Sequence, residues 1–176
     1  MATKRGAEAP PTERVQAAYK QLSLAAKSLN VASDELAKAI SVLDAALQKL
    51  NLGVSAWEDL SGNEDTGTGS WWTRQIGYAK VHDKWGVALR TVRGNYSYPD
   101  DDLEELSLFN DAPRWMRIEA VGKIPDLLEA LLIEAEKTTQ KIKNKTRLAY
   151  ELAAAMSNVG QEVQDAEGEH HAHPAK

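Results

Sequence analysis

Val15, Leu22, Leu29, Leu36, Leu43 and Leu50 recur every seven residues, and Tyr19, Ala26, Ser33, Ile40 and Leu47 follow the first five at an interval of four. A repeat that keeps its phase this long holds one apolar seam along a slightly supercoiled helix. No Gly or Pro breaks the stretch. Asn30 and Ser33 each cost only about 0.5 kcal/mol relative to alanine inside a helix. The repeat therefore predicts one helix over 12–52, roughly 60 Å long at about 1.5 Å per residue. The segment from Ser28 to Leu36 also reads as a helix end followed by a Ser cap with Glu behind it, so two shorter helices are the alternative. Unbroken phase favours one, and Gly53 then offers a residue able to take the left-handed conformation that ends a helix.

A second repeat runs through Leu128, Ala135, Ile142, Ala149 and Met156, joined by Leu131, Leu132, Leu152 and Ala153. Asp111, Ala112 and Pro113 open a short helix ahead of it, and Gly122 and Pro125 interrupt. The region 113–159 is thus expected as a broken helix.

Between the repeats, over 54–98, the apolar period shortens to that of strands. Val54 to Leu60 is a short candidate, and Ser61 to Ser70, with three glycines, reads as a flexible loop. Trp71–Val81 and Trp85–Val92 form a hairpin around His82, Asp83 and Lys84. With Asp83 and Lys84 at the turn centre, Trp72, Ile76 and Tyr78 share a face with Trp85, Val87 and Leu89. The other face carries Gly77, Ala79, Val81, Gly86, Ala88 and Val92, small enough to approach a helix. Residues 99–111, with Asp100, Asp101, Asp102, Glu104 and Glu105, read as an acidic linker. Residues 1–11 and 160–176 read as a disordered arm and tail around a single domain, 12–159.

These elements predict an α+β fold: a long antiparallel, coiled-coil-like helical hairpin with a small antiparallel β-meander head inserted between its helices. Leu22, Leu29, Leu36, Leu43 and Leu50 would face Leu128, Ile142, Leu152 and Met156, with Ser33 falling near Thr139 and Thr146. Such a pair buries one stripe on each helix. Leu131 and Leu132, or Ala45, Ala46 and Leu47, would then offer apolar surface to further helices, as in a four-helix dimer.

Composition narrows the function. The 176 residues are 43% hydrophobic and 27% charged, an ordinary globular mixture without cysteine, so disulfides and thiol chemistry are excluded. No apolar run is long enough to span a membrane, and the first residues lack a secretory apolar stretch. A cytoplasmic protein is expected. The net charge of −5 argues against coating nucleic acid through bulk charge.

The sharpest local signal is the aromatic and basic hairpin, with Trp71, Trp72, Arg74, Trp85, Arg90 and Arg93 as the candidate binding surface. Such a sheet can stack bases or line a ligand groove. The simpler reading makes the tryptophans core and the arginines its solvated face. Lys137, Lys141 and Lys145 form a stripe that reads as a solvated flank. His170, His171 and His173 can chelate metal adventitiously but have no packing residues around them to build a rigid site, and His82 reads as a turn residue. Asp100 to Asp102 lack the glycine and terminal glutamate of a calcium loop. No phosphate loop, dinucleotide fingerprint, nucleophile elbow or zinc-protease motif occurs, so no catalytic, cofactor or metal residue is assigned. The expected role is a non-enzymatic protein-interaction, adaptor or regulatory module, self-associating through its helices. The alternative is a ligand or nucleic-acid binding module using the hairpin over 71–98.

Overall fold

The computed structural model describes residues 10–169. In chain order these form α1 (Pro11–Leu50), β1 (Ala56–Asp65), β2 (Ser70–Val81), β3 (Lys84–Asn95), β4 (Leu103–Leu108), α2 (Arg114–Ala120) and α3 (Ile124–Glu169). Short 3-10 turns at Pro99–Asp101, Phe109–Asp111 and Val121–Lys123 join the last elements. The mixed α+β class follows, and the first repeat is a single helix. Asn51, at φ 47°, takes the left-handed cap and donates its N–H to Gln48 O; Gly53, also left-handed, redirects the chain.

The strands form one antiparallel meander in the order β1-β2-β3-β4. The β2–β3 turn centres on His82 and Asp83, both at positive φ, so Val81 pairs with Lys84. Two residues of positive φ match the right-handed twist of the flanking strands. This corrects the expected centre by one residue on each strand. Parity is preserved, so the expected faces survive. Residues 99–111 are not a linker, because they contain the fourth strand. Its acids pair across strands, Glu104 with Arg90 and Glu105 with Arg93. The glycine-bearing loop is also shorter than expected and pinned. Asp65 accepts hydrogen bonds from the Thr68 hydroxyl and the Gly67 N–H, which hold its carboxyl below the usual range.

The core lies on the face that carries Ile76, Tyr78, Val87 and Leu89. Ile40 and Leu47 of α1, Met116 and Ala120 of α2, and Leu127 and Leu131 of α3 join them, together with Phe109. The opposite, small-residue face receives no helix stripe of this cluster. Instead the Trp57 ring lies against Gly77, where a Cβ would stand 2.2 Å from ring carbon Cε3. Gly77→Ala is therefore expected to cost about 1–3 kcal/mol in urea unfolding. Gly122→Ala, with nothing within 4 Å, is the control expected to leave stability nearly unchanged.

The long helices depart from the expected hairpin. α1 lies along β3 and α3 along β1 and β2, and the two make no extended contact with each other. Within one chain the hairpin seam is not closed. Leu36 and Leu43 pack against the core, but Leu22, Leu29, Leu50, Leu128, Ile142, Leu152 and Met156 are exposed. On α3 the stripe meeting the sheet runs through Ile124, Leu127 and Leu131, one residue out of step with the heptad through Leu128. Ser33 does not meet the threonines of α3. Its hydroxyl accepts from Arg117 at 3.1 Å, and the Asn30 side chain accepts from Arg114 at 3.0 Å. The polar break in the first repeat is thus where α2 docks. α3 also continues to Glu169, so the tail expected from 160 is helical that far, and 170–176 lie outside the described residues.

One further contact fixes α1 on the sheet. β4 pairs with β3 only from Ala88 to Arg93, leaving the outer edge of β3 without a strand at Trp85 and Val87. Asp44 Oδ1 accepts from Val87 N–H at 2.6 Å, and Gln48 Nε2 donates to the Trp85 carbonyl at 2.7 Å. Two side chains one helical turn apart thereby continue the ladder, satisfying backbone groups that burial would otherwise penalise.

Candidate functional site

The registers bring the candidate residues into transverse rows. Asn63, Trp72, Arg93 and Leu103 pair in succession across the four strands, and Ser61, Arg74, Thr91 and Glu105 form the next row toward the core. Both rows lie on the helix-bearing face because strand residues two apart point the same way. α2 reaches the inner row through Trp115. The outer row is open, and a cavity of about 660 Å3 lies there, with Trp71, Trp72, Arg74, Thr91, Arg93 and Leu103 in its wall.

Arg74 is the best-defined group in it. Its guanidinium carbon stands 4.3 Å from the Trp72 ring centroid and 4.4 Å from that of Trp115. The ring quadrupoles attract the cation and fix its place. Arg93 is tied to Glu105. Trp71 sits at the edge beside Tyr96, ring centroids 6.4 Å apart.

The remaining candidates lie elsewhere. Trp85 stacks on Tyr78 at 5.4 Å near the opposite end of the hairpin and packs against the core. Burial and the Asp44 charge together raise the Tyr78 phenol above its usual range. Arg90 points to the other face, 4.1 Å over the Trp57 ring, where it bonds to Gln75 and Glu104. The six-residue surface therefore divides into four cavity residues, one core aromatic and one structural cation. Trp115 and Asn63 were missing from it, because nothing in the strand pattern marks a residue contributed by a distant helix or by the first strand.

The other expectations resolve individually. His82 is an exposed turn residue, and Lys137, Lys141 and Lys145 are exposed along α3, Lys137 pairing with Glu134. Among the described residues no cluster of His, Asp and Glu could hold a metal ion, and no helix is long and apolar enough to cross a membrane. The histidines at 170, 171 and 173 lie outside the described residues. A second groove of about 570 Å3 between β1 and α3 is lined by Glu58, Asp126, Glu129 and Glu134 and by Lys137. No known family, curated protein or solved structure matches this chain.

Proposed function

We propose that this chain is a non-enzymatic protein-interaction module, an adaptor, assembly or regulatory unit, that self-associates through its long helices. The observation that carries the reading is the divided stripe of α1. Its inner part, Leu36, Ile40, Leu43 and Leu47, packs into the core, while Val15, Tyr19, Leu22 and Leu29 continue the same seam with Tyr19 73% and Leu22 66% exposed. The outer part of α3 repeats this with Ile142 and Met156, 60% and 77% exposed. A contiguous apolar stripe on an extended helix favours a partner helix.

Length favours a second copy as that partner. α1 has 40 residues and α3 has 46, and laying α1 of one copy antiparallel to α3 of another closes both exposed stripes. Sedimentation equilibrium is expected to report an oligomer. Leu22→Glu combined with Ile142→Glu should convert it to a monomer that keeps its near-ultraviolet circular dichroism, because neither residue touches the core. A monomer of the unsubstituted chain at high micromolar concentration would overturn the reading.

A second reading, ligand binding at the open end of the sheet, is favoured by the cavity and its fixed arginine. It is compatible with the first, since the two use different surfaces.

A further inference from the structure

We propose that the cavity at the open end of the sheet takes a small ligand combining one anionic group with a flat apolar body, its anion meeting the Arg74 guanidinium. The inference rests on the ligand-binding reading and names the ligand's chemistry. Three arginines come from the hairpin, and they differ in how their charge is met. Arg90 and Arg93 each face a glutamate of β4. Arg74 has two indole rings and, among the described residues, no carboxylate. Its charge is held in place but not neutralised, and it opens onto a cavity. A planar guanidinium in that state suits a carboxylate or a similar oxyanion.

The surroundings limit the ligand further. Trp72 and Leu103 supply apolar wall, and Thr91, directly across from Arg74, supplies a hydroxyl. A volume of about 660 Å3 fits a small molecule. A polynucleotide fits poorly. Asp65 and Asp101 also border the cavity, Arg93 is committed to Glu105, and one cation cannot follow a phosphate backbone.

The test uses two fluorescent probes with the same rings, anilinonaphthalene sulfonate and its uncharged analogue phenylnaphthylamine, titrated into the full chain. One saturable sulfonate site is expected. Its affinity should fall at least roughly tenfold in Arg74→Gln and in Thr91→Glu, which sets a carboxylate opposite the guanidinium. Phenylnaphthylamine should be unaffected by either, and both probes should weaken in Trp72→Ala. Thr91→Glu retains Arg74 and both indole rings and carries the test should Arg74→Gln fail to fold. If both probes respond to Trp72→Ala but neither to the charge changes, the anion inference fails while the ligand-binding reading stands. If neither responds to Trp72→Ala, both fail. Displacement of the sulfonate by oligothymidylate with steep salt dependence would make nucleic acid the occupant and overturn the inference.

Discussion

Phe109→Ala is expected to remove about 3–5 kcal/mol of stability, enough to leave a chain of ordinary marginal stability largely unfolded at modest urea. Phe109 is 1% exposed and stands in the 3-10 turn directly after β4. From there it joins the cluster that contains Ile40 and Leu47 of α1, Leu89 of β3 and Met116 of α2. Truncation would leave a void bordered by three separate elements, none of which can collapse into it without losing its own contacts. Leu128→Ala serves as the comparison. Leu128 is partly exposed on α3 outside the core, so its loss should be well under 1 kcal/mol in a monomeric background. Chemical denaturation of the two variants, read by Trp fluorescence and circular dichroism together, measures both numbers.

The second large effect concerns Asp44. Its carboxyl is pushed above the usual aspartate range by burial, an effect the Val87 N–H only partly offsets. The folded chain therefore holds this proton more tightly than the unfolded chain. Between the ordinary aspartate value and the raised folded one, the native state binds more protons, so this group's contribution to stability falls as pH rises through that window. Asp44→Asn keeps an acceptor for Val87 N–H and removes the charge. It is expected to flatten the pH dependence and to be at least as stable as the parent at pH 7. Asp44→Ala removes the acceptor, exposes an unpaired N–H at the edge of β3, and should cost about 1–3 kcal/mol. Melting curves of the three proteins from pH 4 to pH 7 decide the matter. A parent more stable than Asp44→Asn at neutral pH would refute the sign.

What the amino acids reveal differs by element. α1 was legible because a heptad carries its own phase, and a loop at Asn30 or Ser33 would have destroyed it. The hairpin faces were legible because side-chain alternation survives a shift of the turn centre by one residue on each strand. β4 was not. Leu103 to Leu108 shows its acids more plainly than its strand, and only knowledge of Arg90 and Arg93 on the neighbouring strand explains Glu104 and Glu105. Nor does a heptad say what covers it. The inner part of α1's seam meets a sheet and a short helix, a choice set by the tertiary fold. At the candidate site, Trp72, Arg74 and Arg93 were visible as neighbours on one hairpin. Arg74 gains its particular character from Trp115, which is far away in sequence and sits on an element only seven residues long.

On the face away from the helices, Asp59, Gln75, Arg90 and Glu104 form a hydrogen-bonded chain with one member from each strand. Sliding any strand past its neighbour by a single position would turn its link to the wrong side and leave the remaining amide or guanidinium unmatched. The chain thus acts as an alignment key for the sheet, seconded on the inner face by the Arg93–Glu105 pair. Mis-threaded versions are rejected by their broken polar links as much as by poor packing.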